Sequence, residues 1–332
     1  MKLQMRTWTW MSSILIGLGM TTLAEESKDA KPAGPRLRVR FVETRQHGDK
    51  TISSRPCVLT LHADEKPTKV FAGRQVSLTT SDKVAPTVLF KNAGVEAQVS
   101  AQSLGDGRYR LDARFEDASV LPPSASATSA NHENPILQTL KGESKVTLRE
   151  GETVPFASAV DPISGDLVRV DVALAAAPAP KAVAPSPSKD ARLRAQFVLT
   201  RRQGEKKTAS RPYSVVLQAG GETTATVFSG SQLPLQVSNQ GQGELPRPTI
   251  ALKDVGAGAH FNAQLGGDGR YRVDLWFSDG SLASQGASPT LLAFESEARL
   301  FMQLGETVTV GSVVDPQTGD VVEVDLTIEA VK

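Results

Sequence analysis

The sequence contains the same series of motifs twice, and this internal repeat limits what the chain can fold into. The two copies occupy residues 36–174 and 192–330. The motifs of the first copy are Arg36-Leu37-Arg38, Arg55-Pro56, Gly105-Asp106-Gly107-Arg108-Tyr109-Arg110, Gly151-Glu152-Thr153-Val154 and Val160-Asp161-Pro162. Their counterparts in the second copy are Arg192-Leu193-Arg194, Arg211-Pro212, Gly267-Asp268-Gly269-Arg270-Tyr271-Arg272, Gly305-Glu306-Thr307-Val308 and Val314-Asp315-Pro316. Because each copy carries a full set and is long enough to bury a core, the sequence predicts two domains.

The repeat also tests for catalysis, because a catalytic site should recur in both copies or be visibly lost from one. The four histidines do not recur and lack metal-ligand spacing; they are His47, His62, His132 and His260. No phosphate-binding loop, dinucleotide fingerprint or nucleophile elbow lies in a suitable strand–turn–helix context. The sequence therefore predicts a protein that is not an enzyme and has no metal or cofactor site. A formal net charge of +1 argues against nucleic acid as a partner.

The N-terminal residues predict export. Lys2 and Arg6 precede an apolar run over residues 8–20 and a small-residue segment that ends at Ala24, which is the pattern of a signal peptide over residues 1–24. An uncleaved anchor is the alternative, although the run is shorter than the ~20 residues of a spanning helix. No later segment predicts a transmembrane helix, and membrane contact without one stays open. We expect a protein of the bacterial periplasm or one associated with the outer membrane.

The sequence has one cysteine, Cys57, and therefore cannot form an internal disulfide. An exported protein without disulfides must be stabilised by its packed cores. The counterpart of Cys57 in the second copy is Tyr213. We interpret Cys57 as a half-buried strand residue rather than a nucleophile.

Apolar and polar residues alternate with period two along the ordered parts of both copies, which is typical of strands. In the first copy Tyr109, Leu111, Ala113 and Phe115 alternate with charged residues. The Asp-Gly pairs of both copies predict hairpins between such strands. Residues 175–191 are rich in Pro and Ala and predict a semi-rigid linker that holds the copies apart.

Other polar segments complete the predicted organisation. Residues 25–35 predict a flexible leader, and stretches rich in Ser, Ala, Gly or Pro predict loops at Leu121–Asn134 and Ser278–Pro289. The predicted fold class is all-β, with two tandem antiparallel, β-sandwich-like domains joined by the Pro/Ala-rich linker.

Four residues are candidates for binding a partner. Trp276 occupies the solvent-facing register in which the first copy has Arg114, where an aromatic ring could anchor a protein or a sugar. The alternative is that a neighbouring loop covers it. Arg108, Arg110 and Arg114 share a strand face and could bind an anionic ligand. The alternative is a solvent-facing surface of salt bridges, whose acidic members would be Glu43, Asp112, Glu116 and Asp117.

Carboxylates flank one hairpin loop in each copy. The pairs are Asp161 with Asp166 and Asp315 with Asp320. Loop carboxylates could hold Ca²⁺, but turn formation at a solvated edge also accounts for them, and we favour that interpretation.

A further series of motifs occurs twice in the same order. In the first copy it comprises Phe71-Ala72-Gly73, Lys91-Asn92-Ala93-Gly94-Val95, Asp106-Gly107, Asn134-Pro135-Ile136-Leu137 and Glu150-Gly151-Glu152-Thr153-Val154. In the second copy it comprises Phe228-Ser229-Gly230, Lys253-Asp254-Val255-Gly256, Asp268-Gly269 and Leu304-Gly305-Glu306-Thr307-Val308. This order resembles the C-terminal β-domain of bacterial secretins, the outer-membrane proteins of type II and type III secretion and of pili.

The chain also departs from the secretin pattern. An apolar Gly-Gly-Leu follows the last motif in secretins, whereas Ala157-Ser158-Ala159-Val160 and Gly311-Ser312-Val313-Val314 stand here. Neither copy is preceded by recognisable N-terminal ring-building modules. Lipid-crossing hairpins need an apolar outer band with aromatic girdles, but the exposed registers here carry Arg, Asp and Glu. The resemblance therefore implies a secretin-like sheet core, and a pore does not follow from it.

The sequence is compatible with three functions. The leading hypothesis is a non-catalytic binding or scaffolding protein of the bacterial envelope, whose partner is an unknown protein or envelope component. The alternative is a secretin-type component of a secretion or pilus system in the outer membrane. The second alternative is an envelope hydrolase with an unrecognised site, for which Asp161, Asp315 and Glu306 are the only carboxylates to nominate.

Overall fold

The computed structural model describes β-strands and turns over most of the chain after residue 33, and the predicted all-β class is confirmed. The described residues are 34–79, 88–120, 137–161, 164–177, 191–220, 224–239, 247–284, 290–315 and 318–331. The predicted signal peptide, residues 25–33 of the leader, the loop at 121–134 and residues 178–190 of the linker lie outside them. No helix in the described ranges could cross a membrane.

Sixteen strands are described, eight from each repeat. Those of the first repeat are β1 (Arg36–His47), β2 (Lys50–His62), β3 (Thr68–Thr79), β4 (Val88–Ser103), β5 (Arg108–Val120), β6 (Leu137–Arg149), β7 (Thr153–Val160) and β8 (Leu167–Ala176). Those of the second are β9 (Arg192–Gln203), β10 (Lys206–Gln218), β11 (Ala225–Asn239), β12 (Arg247–Leu265), β13 (Tyr271–Ser284), β14 (Thr290–Met302), β15 (Thr307–Val314) and β16 (Val321–Ala330).

The strands form two antiparallel sheets of eight strands each. The order in one sheet is β10-β9-β16-β15-β2-β1-β8-β7, and the order in the other is β11-β12-β13-β14-β3-β4-β5-β6. Each repeat thus supplies four neighbouring strands to each sheet, in the same relative order. The two repeats have one topology, as their shared motifs predict.

The alternation seen in the sequence sets which face of each strand is buried. In β5, Tyr109, Leu111, Ala113 and Phe115 are buried while Arg108, Arg110 and Asp112 are exposed. Hairpins join such strands at the predicted positions, where Gly107 and Gly269 have positive φ of 75° and 77°. Local sequence pattern and local structure therefore agree.

The two sheets pack face to face through aromatic side chains. In the first repeat, Phe41 of β1 lies 5.7 Å from Phe115 of β5 in the opposite sheet and 5.6 Å from Phe156 of β7 in its own sheet, measured between ring centroids. Phe197, the counterpart of Phe41, lies 6.0 Å from Phe261 and 5.7 Å from Phe277. Each repeat thus has its own aromatic contact between the sheets, within a core that continues from one repeat to the other.

A pair of glycines allows two strands to approach closely in each repeat. Gly73 of β3 lies opposite Gly94 of β4, and Gly230 of β11 lies opposite Gly256 of β12. A Cβ atom on Gly94 would lie 2.3 Å from the Ala72 carbonyl oxygen, so a larger residue would force the strands apart. These are glycines of the secretin-like motifs, and they have a structural role here.

The repeats are not held apart, which corrects one expectation. Strand β15 of the second repeat pairs with β2 of the first, and β14 pairs with β3. Both sheets therefore run without a break from one repeat into the other. The prediction failed because linker composition reports on the linker alone, whereas pairing between edges depends on residues far apart in the chain. The repeat and linker bounds themselves stay predictions.

One predicted loop is partly wrong. The segment Ser278–Pro289 was expected to be a loop, but its first residues up to Ser284 continue strand β13 and pair with β14. Small residues such as Ser and Gly are weak strand formers, but a partner strand already in register supplies their hydrogen bonds. Residues 285–289 lie outside the described part of the chain.

Candidate functional site

The joint between the two repeats is the most extensive contact that sequence reasoning missed. In one sheet Leu59, Val58 and Cys57 of β2 lie opposite residues of β15, ending at the pair Cys57 and Val313. Pairing stops at this point, beside Pro56, which has no N–H to donate. In the other sheet β3 and β14 pair over eight residues, from Val76 opposite Thr290 to Lys69 opposite Glu297.

An ion pair joins the repeats at one end of this joint. The guanidinium of Arg36 in β1 donates to the carboxylate of Glu306, which precedes β15, and to the Phe301 carbonyl oxygen at 2.7 Å. Glu306 also accepts from the Gln303 backbone N–H at 2.8 Å. Both side chains are largely buried. Glu306, one of the carboxylates nominated for hydrolysis, therefore has a structural partner across the joint.

His62 packs beside this ion pair in neutral form. Its Nδ1 lies 2.9 Å from the Gly34 carbonyl oxygen and must donate to it, so Nε2 is free to accept from Arg36 Nε at 3.4 Å. The ring packs edge-on against Phe301 at 5.2 Å. Burial first, and then the charges of Arg36 and Arg270, lower the pKa of His62 to about 4, against opposing effects from Gly34 and Glu306.

Acid is expected to weaken the protein through His62. Because its pKa is lower in the folded state than its ordinary value of 6.5, the unfolded chain binds a proton first as pH falls, and stability is lost between pH 6.5 and about 4. At ~1.4 kcal/mol per pKa unit the full loss is about 3 kcal/mol. His62→Gln, which introduces the residue found at the equivalent Gln218, should remove it. Urea unfolding of the native protein and the variant at pH 7 and pH 5 measures how much unfolding free energy each loses on acidification. Equal losses in the two proteins would contradict the attribution of this acid sensitivity to His62.

A second charged cluster links the two sheets inside the first repeat. Arg55 Nη2 lies 2.5 Å from Glu43 Oε1 and 2.8 Å from Asp117 Oδ2. Arg45 contacts the same two carboxylates at 3.1 and 2.9 Å. Glu43 and Asp117 are 1% and 2% exposed, so the expectation that they lie on a solvent-facing surface is wrong. Both continue the inward register of their strands, a signal that the sequence did contain.

Burial dominates the titration of Glu43. Desolvation and the neighbouring carboxylate of Asp117 raise the pKa of Glu43, although Arg55 and Arg45 act to lower it. Glu43 Oε2 and Asp117 Oδ1 are buried and accept no hydrogen bond from the described residues. The second repeat has Leu199 at the position of Glu43, and the described residues there form two separate ion pairs, Arg211 with Asp279 and Arg201 with Asp315.

Glu43→Gln is expected to change how stability depends on pH. Because the pKa of Glu43 is raised in the folded state, the folded protein keeps this proton at pH values above 4.5, where the unfolded chain loses it. Glu43 therefore makes the free energy of unfolding fall as the pH rises from 4.5 to the pKa of Glu43 in the folded state. The amide does not titrate, and the variant should show a flatter profile there. Urea unfolding of the two proteins at a series of pH values from 4.5 upward measures both slopes. Identical slopes would show that Glu43 does not titrate in this range.

Trp276 lies on the outer face of the second sheet, as its register predicts. It stands opposite His260 of β12, with ring centroids 5.0 Å apart, and opposite Glu297 of β14. A cleft of about 360 Å³ runs beside it. The other polar residues that line the cleft include Lys66, Thr224, Asn262, Asp274 and Arg299. Trp276 is half-buried rather than freely exposed, and its role in binding a partner stays a prediction.

The three candidate arginines lie on one face of β5 but are engaged with nearby side chains. Arg108 pairs with Asp106 at 2.8 Å, Arg114 pairs with Glu116 at 3.0 Å, and Arg110 donates to Gln102. This is the salt-bridged arrangement that was the alternative to an anion site. Their binding of a ligand stays a prediction.

The remaining nominated groups form turns or lie in the core. Asp161 accepts from the Ser164 N–H at 3.2 Å, and Asp315 accepts from the Thr318 N–H at 3.3 Å. In the described ranges no three His, Cys, Asp or Glu residues are grouped so that they could hold a metal ion. Cys57 is fully buried, not half-buried, and burial raises the pKa of its thiol.

Comparisons with known proteins give similarity in structure only. No family model matches the sequence, and no curated protein matches it. The ETEC pilotin–secretin complex AspS–GspD is 8% identical and covers 90% of this chain and 50% of its own, with a TM-score of 0.30. The V. cholerae type IV competence pilus secretin PilQ is 11% identical and covers 92% and 63%, with a TM-score of 0.29.

A third structure, the T2SS secretin XcpQ from Pseudomonas aeruginosa, is 12% identical and covers 90% of this chain and 59% of its own, with a TM-score of 0.30. This chain thus spans between 50% and 63% of the length of these secretins. All three belong to the family whose motifs the sequence resembles.

Proposed function

We propose that this protein is a non-catalytic structural component of the bacterial cell envelope that acts by joining β-sheets edge to edge. The observation that carries the proposal is the joint between the repeats, where both sheets already continue from one module into the next. Among the described strands, one end of the two sheets is formed by β10 and β11, one in each sheet, and the other end is formed by β7 and β6 in the same way.

The physics of sheet edges supports this role. An edge strand presents backbone N–H and C=O groups that another strand can pair with, and soluble proteins usually block such edges. Adding a strand to an edge gives affinity through main-chain hydrogen bonds and specificity through alternate side chains. A module with two edges of this kind is suited to being one element of a larger wall or scaffold.

The polar residues support a structural rather than a catalytic role. Glu306 is used in an ion pair across the joint, and Asp161 and Asp315 cap hairpin turns. The proposed location rests on the signal-peptide pattern of residues 1–24.

Expression of the full chain in a Gram-negative host tests the proposal. We expect the protein in the envelope fraction, and we expect light scattering of the purified protein to give a mass above that of one chain or a defined complex. A cytoplasmic protein, or an exported monomer that binds nothing in envelope extracts, would contradict it.

A secretin-type component of a secretion or pilus system in the outer membrane is the second candidate. The continuity of both sheets across the joint favours it, because a two-layered wall built in this way could extend from module to module. Detergent extraction followed by electrophoresis without boiling tests it: a heat-resistant oligomer of defined size is expected, and release as a single chain would exclude this candidate.

A further inference from the structure

The joint between the repeats is formed by two different pairs of edge strands. Each pair has an equivalent in the other repeat, and among the described strands that equivalent has no neighbouring strand on its outer side. In the joint, the β14–β15 edge of the second repeat meets the β2–β3 edge of the first. The first repeat has the counterpart of the β14–β15 edge in β6–β7. The second repeat has the counterpart of the β2–β3 edge in β10–β11. These two edges lie at opposite ends of both sheets.

The counterparts can be assigned residue by residue, because the two repeats share one register. Thr153 pairs with Ala173 as Thr307 pairs with Thr327, and both strand pairs contain a bulge two residues later. Arg192 lies opposite Gln218 as Arg36 lies opposite His62. Each residue of the joint therefore has one defined equivalent at a free edge.

Large apolar side chains are exposed at the free edges where their equivalents are buried in the joint. Val160 is 63% exposed and its equivalent Val314 is 9% exposed. Phe228 is 48% exposed, whereas Phe71 is 1% exposed. Apolar side chains left open along a strand edge are typical of a surface that a partner covers.

Val216 is also exposed at a free edge while its equivalent in the joint is buried, but here the two residues differ in type. It is 48% exposed in β10, whereas the equivalent Thr60 in the joint is 5% exposed. The exposed position thus carries the more apolar of the two residues.

The two halves of the joint's ion pair also recur at opposite ends of the chain. Arg36 and Glu306 meet in the joint, and their equivalents are Arg192 beside the β10 edge and Glu152 beside the β7 edge. Both are exposed. Glu152 accepts from the Arg149 N–H at 2.9 Å, as Glu306 accepts from the Gln303 N–H. The carboxylate is thus held in the same local position at the free edge as in the joint.

We infer that the β10–β11 edge of one chain docks on the β6–β7 edge of a second copy, in the register of the internal joint. This inference rests on the proposed function and names its partner. Ser214 would lie opposite Ser158 of the second copy, as Val58 lies opposite Ser312. Phe228 would lie opposite Lys141, as Phe71 lies opposite Glu295. Arg192 would pair with Glu152.

The contact is head-to-tail, so each added chain restores the same free edge. Such contacts build closed rings when the rotation per subunit closes, and open filaments when it does not. Because one chain contributes two modules, a closed assembly contains an even number of them.

Disulfide cross-linking tests the register. Residues directly opposite in antiparallel strands have Cα atoms ~4.5–5.5 Å apart, within the range that a disulfide spans. The variant with Ser158→Cys and Ser214→Cys should form chains of disulfide-linked molecules on oxidation, seen as a ladder on a non-reducing denaturing gel. Native Cys57 is buried and should not react.

Two control variants make the result specific. Val58→Cys with Ser312→Cys places the same pair inside the joint, and it should cross-link within one chain without an increase in mass. Ser158→Cys with Ser210→Cys moves one thiol four residues along β10, out of register, and it should give no ladder. A ladder from this control as efficient as that from the in-register pair would overturn the proposed register.

A charge exchange tests the ion pair independently. Arg192→Glu and Glu152→Arg should each weaken association by about tenfold or more, because each leaves like charges facing each other across the contact. The variant with both changes should recover association, since the new carboxylate at position 192 would face the new guanidinium at position 152 of the next chain. Failure of the double variant to recover, with both single variants impaired, would argue against this pairing.

The outcomes separate the inference from the proposed function. A protein that is monomeric at its highest soluble concentration, gives no ladder and binds nothing in the envelope would contradict both. A protein that gives no ladder but binds a different envelope component through these edges would leave the proposed function standing and overturn the inference.

Discussion

Phe197→Ala is expected to lower the free energy of unfolding by about 3–5 kcal/mol, the usual cost of removing a large aromatic side chain from a core. Phe197 of β9 is fully buried and contacts Phe261 and Phe277 of the opposite sheet. Its loss opens a cavity between the sheets that the β-strands on either side cannot readily fill. Urea unfolding followed by circular dichroism measures the change in midpoint.

Ile52→Ala is the matched control for this substitution. Ile52 lies in β2 and is 50% exposed, so its truncation should change stability by no more than ~0.5 kcal/mol. Comparable losses from the two variants would show that the aromatic contact between the sheets is not what stabilises the second repeat.

Glu306→Ala is expected to cost about 3–5 kcal/mol, because it leaves the largely buried guanidinium of Arg36 without its carboxylate partner. The substitution also removes the acceptor for the Gln303 N–H. The lost contacts lie in the joint between the repeats, so we expect the repeats to separate before either unfolds. Limited proteolysis detects the separation, and the urea midpoint measures the loss of stability.

A double variant distinguishes the ion pair from simple loss of packing. Arg36→Met combined with Glu306→Ala removes both charges, and it should be more stable than Glu306→Ala alone because no charge is left buried without a partner. Asp112→Ala is the surface control. Its pair with Lys145 is more than half exposed on both sides and should be worth at most ~1 kcal/mol. A double variant no more stable than the single one would contradict the assignment.

The strands could be predicted because their signal is local. The alternation of Tyr109, Leu111, Ala113 and Phe115 with charged residues predicts which face of β5 is buried, and the structure agrees. The Asp-Gly hairpins likewise depend on two adjacent residues. Such features need no knowledge of what the strand packs against.

The sequence-based prediction that Glu43 and Asp117 face solvent was wrong for a physical reason. Glu43 and Asp117 lie in the inward register, but acidic residues are rarely buried, and composition therefore suggested a solvent-facing surface. What permits their burial is Arg55, which reaches both carboxylates. No sequence pattern shows that this arginine comes close to Asp117 in the opposite sheet.

By itself the sequence determined that the chain is built of antiparallel strands, that it contains one module twice, and which face of most strands is buried. Each of these follows from residues within one strand or turn, where the two-residue period fixes the direction of every side chain. Only the tertiary structure decided that the modules join in both sheets, since Glu306 and Arg36 are brought together from distant parts of the chain. The joint also shows which residues of the free edges are equivalent to buried ones. None of this could be predicted from the sequence, because pairing between edges depends on complementary surfaces and not on the local pattern of either strand.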